Sequence, residues 1–305
     1  MAVDDASSDD SREILLAWAL KDPRLKVHSF GRHQGVAAAA NFAIRQARGH
    51  FIARSDADDV NHLERLEVQY KLLHEVADHS AIATSLAESI DSEDQVVMSC
   101  DRSRLWGVHG NVPFACASLM ARRELFLDNP YCKECELWED LDLILRLSQC
   151  SRFFVLLKPY YQYRQHRNHN RFSTDWNIYL KAMSARAASL RGLQKTGRYS
   201  QRPGEPTRED ELYALHSLAT LRLWSHQPLN LRGALKMTDL FPFCPTPLKM
   251  LVLAIGGECH PSALRWLMGR FAQVRDWIAG CRLGWAEVVE WSPLGTGPIV
   301  HKNLE

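Results

Sequence analysis

The 305-residue chain has little charge of one sign. Lys and Arg total 37 against 36 Asp and Glu. Such a balance gives no basic footprint for a phosphate backbone, and nucleic-acid binding is excluded as the leading function. Long apolar runs are also lacking: the best candidate, Met250 to Ile255, stops at Gly256-Gly257-Glu258, far short of the ~18 residues a membrane span needs. The N-terminus carries Asp4, Asp5, Asp9 and Asp10 where a secretory leader would carry basic and apolar residues. The eight cysteines are scattered, and only Cys132 and Cys135 form a CxxC. With no second pair at matching spacing, the four ligands of a zinc site are not in view, and two reduced thiols on a surface loop are the plainer reading. Free thiols and the acidic start set the expectation of a cytoplasmic protein. Repeats and low-complexity segments are absent.

What is present is a 46% hydrophobic, 24% charged composition, that of a chain with a sizeable buried core. Strand-like and helix-like segments alternate over the first 160 residues, the pattern of an α/β protein with a largely parallel sheet. Val3 ends a short strand. Asp10 and Glu13 have capping-box spacing, and Ile14, Leu15, Trp18 and Ala19 follow at helical period. Leu25 to Phe30 reads as a strand, and Ala37 to Ala47 as an alanine-rich helix closed by Gly49. The strand Phe51 to Arg54 runs into Asp56-Ala57-Asp58-Asp59. Asn61 and Glu64 then cap a helix with Leu63, Leu66, Tyr70 and Leu73 along one face. Strands are expected at Ala81 to Leu86 and at Phe153 to Leu157, the latter stopped by Pro159. Between them Leu137, Leu141, Ile144 and Leu145 mark a helix with an acidic start. From about residue 176 the pattern turns helical, with segments at Tyr179 to Leu193, Glu211 to Trp224 and Arg265 to Ile278. The expected organisation is an α/β domain over 1–175 and an all-helical region over 176–305.

Three acidic groups carry chemistry. Asp56 and Asp58 sit just past a strand's carboxyl end, where open α/β sheets bind ligands. Their hard oxygens suit Mg2+ or Mn2+, ions that also hold substrate phosphates. Asp4 and Asp5 form a second pair after a strand. Adjacent strands would set both pairs on one sheet edge, with a nucleotide lying across it. Glu139 and Asp140 open a helix, where the helix dipole stabilises a carboxylate and a general base has its place. Each also has a bland reading as an acidic turn or a helix cap. The same pairs also suit a nucleotidyltransferase.

Taken in order, these segments resemble family 2 glycosyltransferases. Val3-Asp4-Asp5-Ala6-Ser7-Ser8-Asp9 is similar to the family's V-D-D-x-S-x-D segment. Gly35 to Asn41, Ala47-Arg48-Gly49, Asp56-Ala57-Asp58-Asp59 and Glu64-Arg65-Leu66-x-x-Gln69 follow in the family's order. Trp138-Glu139-Asp140-Leu141-Asp142-Leu143 is similar to its E-D-x-D-L acceptor motif, and Tyr163-Arg164-Gln165-His166 to its Y-R-x-H segment. The likeness covers roughly Val3 to Ser173.

It implies a GT-A fold, meaning a Rossmann-like mixed, mostly parallel sheet flanked by helices. It implies an inverting transfer from a nucleotide-diphosphate sugar, most often a UDP-sugar, to a hydroxyl on a glycan or lipid-linked acceptor in surface-polysaccharide or lipopolysaccharide assembly. Asp4, Asp5 and Asn41 would contact the nucleotide sugar. Asp56 and Asp58 would be the DxD motif holding ribose and metal (Mn2+ or Mg2+), with His166 as a further metal or diphosphate ligand. Asp140 would be the catalytic base, with Glu139 beside it. The chain departs from the family in four places: His33-Gln34-Gly35 replaces N-x-G, Ala40 replaces an arginine, a proline common after the DxD segment is replaced near His62, and the apolar strand that usually precedes V-D-D has no counterpart here. That last departure sustains the competing reading, a truncated or degenerate transferase-like protein without activity. Trp266, Trp277, Trp285 and Trp291 with Arg265, Arg270, Arg275 and Arg282 permit an interfacial helix and peripheral contact at the inner face of the membrane, against the commoner role of such stripes as core.

Overall fold

A computed structural model describes residues 1–98, 112, 114–135, 137–165, 184–185, 188–189, 199, 287–292 and 298–301. It divides into two units: Met1–Leu86 with Phe114–Tyr161 and Glu287–Glu305, and Ala87–Pro113 with Gln162–Ala286.

The first unit opens with strand β1 (Ala2–Asp4), helix α1 (Ser11–Lys21), strand β2 (Val27–Ser29), helix α2 (Val36–Gln46) and strand β3 (Phe51–Ala53). β4 (Val60–Asn61), α3 (Arg65–Val76) and β5 (Ala81–Ile90) follow. After β6 (Val96–Met98) of the second unit come β7 (Met120–Arg122), α4 (Arg123–Asp128), α5 (Glu139–Leu147) and β8 (Arg152–Arg164). The described part ends in β9 (Val288–Trp291) and β10 (Ile299–His301).

The expected α/β architecture with a mixed sheet flanked by helices is there, with a smaller parallel share than the sequence suggested. β1 and β2 pair in parallel as a two-stranded sheet. The larger sheet runs β10-β9-β8-β5-β7-β3, with β4 beside β8. Its pairs β3–β7, β5–β7, β8–β9 and β9–β10 are antiparallel. Within the second unit the short link Asp91–Gln95 turns the end of β5 back as β6, and links this short only join antiparallel strands.

Both faces of the larger sheet are covered. Leu72 and Leu73 of α3 pack with Ala81, Ala83, Met120, Phe154, Leu156 and Tyr160 on one side. Elsewhere Phe114, Phe153 and Trp291 form an aromatic trio with ring centroids 5.4 to 5.9 Å apart. α5 buries Leu141, Leu143, Ile144, Leu145 and Leu147.

Several expectations need correction. The all-helical reading of 176–305 fails at its end, where β9 pairs with β8 and brings Glu287–Glu305 into the first unit. The signal lay in Glu287-Val288-Val289-Glu290-Trp291, where Val289 and Trp291 turn inward at strand period. Trp291 is therefore core, and the interfacial reading loses it; Trp266, Trp277 and Trp285 lie outside the described residues, as do the helices expected at 211–224 and 265–278. Of the helix expected at 179–193, Ser184–Ala185 and Ala188–Ser189 are described and helical. Pro159 does not stop β8. It falls beyond Phe153–Leu156, the stretch that β9 pairs, so no ladder bond is asked of its missing N–H on that side.

The inward face of α3 is rotated from the apolar stripe. Leu63, Leu66 and Tyr70 are exposed, while Arg65 and Gln69 are buried with Leu72 and Leu73. These two polar side chains go inward because they find backbone carbonyls there. On α1, Ile14 and Trp18 are exposed and no residue is buried. Among the described residues no helix is long and apolar enough to cross a membrane.

Candidate active site

The site grows from the end of β3. Gln69 Nε2 donates to the carbonyls of Ala83 (3.2 Å) and Ser118 (2.7 Å), so one buried amide ties α3 to β5 and to the 3-10 turn Cys116–Ser118. Arg65 donates to Gln69 Oε1 at 3.0 Å, to the Arg54 carbonyl at 2.5 Å and to Asn61 Oδ1. Burial lowers the Arg65 pKa to about 10, which leaves it charged at neutral pH. These bonds satisfy backbone groups at the point where the chain leaves β3 for Ser55 and Asp56, and they fix the direction in which it leaves.

Arg54 is the hub. Its side chain is only 12% exposed. Nη1 donates to Asp140 Oδ1 at 2.5 Å, to the Tyr131 hydroxyl at 2.8 Å and to Cys116 Sγ at 3.3 Å; Nη2 donates to Asp56 Oδ1 at 3.2 Å. Burial alone would lower its pKa. The surrounding Tyr131, Asp140, Cys116 and Asp56 outweigh that and raise it well above the ordinary arginine value. Burial pushes the thiol of Cys116 and the hydroxyl of Tyr131 strongly up, so both stay neutral.

The guanidinium thus joins Asp56, of the DxD segment, to Asp140, on the first turn of α5, though 84 positions separate them (140 − 56). One cation faces two carboxylates, which leaves the cluster net negative. Tyr161 closes the other side: its hydroxyl accepts from the Asp56 backbone N–H at 3.2 Å and donates to Asp59 Oδ2 at 2.7 Å. Asp58 is half-buried beside them, and Glu139 half-buried at the start of α5.

The other residues named from the sequence are placed differently. Asp5 accepts from the backbone N–H groups of Gln34 and Gly35, both at 2.8 Å, and pairs with His33 at 2.8 Å. It clamps the turn into α2, where Gly35 has φ +88 and ψ 160, a conformation open to little but glycine. Asp4 is buried and accepts from the Ser7 N–H at 3.1 Å; its bonds to Ser7 lower its pKa. Asn41 has a structural occupation: its amide donates to the Tyr131 carbonyl and accepts from the Tyr131 N–H, both at 2.8 Å. Both ends of its side chain are thereby engaged on the segment that presents the Tyr131 hydroxyl to Arg54. His166 lies outside the described residues.

Sequence reasoning missed Arg54, Tyr131 and Tyr161 as site members. Arg54 carried a usable signal, a cation wedged between a strand and an acidic run. The tyrosines carried none, because their role depends on contacts across 77 and 105 positions.

The residues fit a divalent cation in one respect, the chemistry of the donor set: hard carboxylate oxygens in a net negative cluster past a strand end. Mg2+-type ions need only one or two such oxygens when substrate phosphates supply others. Among the described residues, Asp56 and Asp58 do not converge with a third metal-binding side chain.

A relative from Rickettsia conorii, described as an uncharacterized glycosyltransferase, is 28% identical over 153 residues, covering 48% of this chain and 25% of its own. The putative teichuronic acid biosynthesis glycosyltransferase TuaG of Bacillus subtilis is 36% identical over 73 residues, covering 24% of this chain and 29% of its own. Escherichia coli WfgD, a UDP-Glc:alpha-D-GlcNAc-diphosphoundecaprenol beta-1,3-glucosyltransferase, is 36% identical over 73 residues, covering 24% and 28%. The chain spans about a quarter of the length of these curated relatives. The crystal structure of S. aureus TarS 1-349 superposes with a TM-score of 0.49 at 16% identity, over 99% of this chain and 89% of that one. The family model for glycosyl transferase family 2 matches residues 1–124. That stretch, about two fifths of the chain, holds the Asp56-Ala57-Asp58 segment and Arg54, and over it the chain is similar to glycosyl transferase family 2.

Proposed function

We propose that the chain is an inverting glycosyltransferase that moves a sugar from a UDP-sugar to a hydroxyl of a glycan or lipid-linked acceptor, in the assembly of a cell-surface polysaccharide. The observation that carries this reading is the Arg54 bridge, which sets Asp56 and Asp140 on one guanidinium. The family match and the names of TuaG and WfgD support the donor and acceptor classes.

Asp56 and Asp58 would hold Mn2+ or Mg2+, with His166, which lies outside the described residues, as the further ligand that the family resemblance implies; such a cation would supply charge neutralisation for a departing diphosphate. Arg54 engages Asp140 Oδ1 and thereby fixes the carboxylate, whose Oδ2 takes the acceptor proton. As the acceptor oxygen bonds to the anomeric carbon, the bond from that carbon to the diphosphate oxygen breaks, its electron pair leaves with UDP, and the configuration inverts. Glu139 lies beside the base and orients the acceptor. Asp5 shapes the nucleoside side by holding the turn before α2, and Asp4 by holding the Ser7 N–H, rather than by offering free oxygens. Holding donor, acceptor and base together is worth several kcal/mol of barrier.

The non-catalytic reading keeps one observation in its favour: β1–β2 and the larger sheet are separate sheets among the described residues. Calorimetric titration of UDP with and without Mn2+ separates the two. The enzyme reading expects metal-dependent binding that Asp58→Asn abolishes. Absence of binding under both conditions overturns it.

A further inference from the structure

We propose that Cys132, Cys135 and Asp142 form a zinc-type metal site separate from the DxD segment. Their ligand atoms, two Sγ and one carboxylate oxygen, all lie within 4.8 Å of one another. No other such group of three occurs among the described residues. The sequence showed only the CxxC; the third ligand comes from α5 and enters by folding.

The local geometry is that of a metal-binding turn. The Cys135 N–H donates to the Cys132 carbonyl at 3.4 Å, and the Trp138 N–H to the Cys135 carbonyl at 3.0 Å, so the chain doubles back and both sulfurs face α5. Asp142 is fully buried and Cys135 nearly so, while Cys132 is partly exposed and gives a metal a way in. Asp142 Oδ2 is held by Arg146 at 2.7 to 2.9 Å, the outer-shell support that a ligating carboxylate ordinarily has. Arg146 also donates to the Pro130 carbonyl at 2.7 Å, which ties the cysteine segment to the same helix. The charges close: two thiolates and one carboxylate balance a divalent cation plus the Arg146 guanidinium. Without a cation, burial and the adjacent Cys132 and Asp142 push the Cys135 thiol strongly up, so it stays protonated. Binding therefore releases the Cys135 proton to solvent. Two sulfurs and one oxygen select a borderline-soft tetrahedral ion such as Zn2+ over Mg2+. The fourth position falls to water or to Glu134, whose Oε2 accepts from the Cys132 thiol at 3.3 Å.

Such an ion would pin segment 130–135 to α5. That segment supplies Tyr131 to Arg54, and α5 supplies Asp140, so the metal would brace both sides of the site without touching it. The proposal does not depend on sugar transfer.

Cobalt titration of the reduced, metal-stripped full chain tests it by absorption. One equivalent of Co2+ should give a thiolate-to-cobalt charge-transfer band with tetrahedral d–d bands, and one equivalent of Zn2+ should remove both. Cobalt at Asp56 and Asp58 would have oxygen ligands and no thiolate band, so a failed transferase reading does not mimic a failed metal site. Cys132→Ser, at the partly exposed position, should keep the circular dichroism of the parent and lose the band; Cys135→Ser should lose it too. Arg146→Lys should weaken cobalt binding about 10–100-fold. A parent chain without the thiolate band, or a band that survives both cysteine substitutions, overturns the proposal.

Discussion

Replacing Arg54 by Ala removes the cation that touches Asp56, Asp140, the Tyr131 hydroxyl and Cys116. Breaking a fully buried ionic network costs about 3–5 kcal/mol, because the partners are left uncompensated. Here Asp56 and Asp140 are 28% and 41% exposed and regain part of their hydration, whereas Tyr131 is sealed and its hydroxyl is left with the weak bond to Cys116 Sγ at 3.7 Å. The loss should therefore be about 2 kcal/mol, which at a typical urea slope lowers the unfolding midpoint by about 1 M. Arg54→Lys keeps the charge and loses the fork, so one of the two carboxylates goes unpaired and the stability loss should be smaller. Sugar transfer should nonetheless fall about 100-fold in Arg54→Lys, since displacing a catalytic carboxylate by about 1 Å has that effect. The raised pKa of Arg54 works in the same direction at every accessible pH: a base with a raised folded pKa stabilises fully below its unfolded value and loses that only above it, so the deficit of Arg54→Ala should be flat from pH 5 to 9. A midpoint within about 0.2 M of the parent, with transfer intact, would refute the hub.

Other substitutions test other joints. Trp291→Ala should cost about 3–5 kcal/mol by emptying the trio with Phe114 and Phe153; a change below about 1 kcal/mol would mean β9 is not part of the sheet. Gly35→Ala should cost about 1–3 kcal/mol and loosen the Asp5 clamp, read as faster amide exchange at Gln34; unchanged exchange contradicts the clamp. Asp4→Asn should destabilise at neutral pH, and the difference should vanish in acid. A carboxylate with a lowered folded pKa contributes above its unfolded pKa, near 4, and loses that contribution as the pH falls through the folded value. A deficit that persists in acid would remove Ser7 bonding as its cause.

The legible part of the molecule was the local part. α2 lies within one residue of where alanine content put it, α5 holds Leu141, Ile144 and Leu145 but starts at Glu139, past Leu137, whose φ of 72 is not helical, and the acidic run follows β3 as expected. α3 was placed correctly and faced wrongly, because apolar period ranks Leu63, Leu66 and Tyr70 above Arg65 and Gln69. It does not see that a guanidinium and an amide can satisfy carbonyls of three other segments. Pro159 read as a stop because a one-dimensional pattern does not show where a neighbouring strand ends. The same limit hid the site's centre. Asp56 and Asp140 each had a bland reading as a turn or a helix cap, and what joins them is the side chain of Arg54, whose partners lie 2, 62, 77 and 86 positions away.

The central claim is that the Arg54-held Asp140 is the base of a sugar transfer, and its most direct test is UDP release from UDP-glucose by the parent and by Asp140→Asn, in Mn2+, with UDP affinity measured on both. The account expects release to fall at least about 100-fold with UDP affinity unchanged; equal release by the two proteins would contradict it.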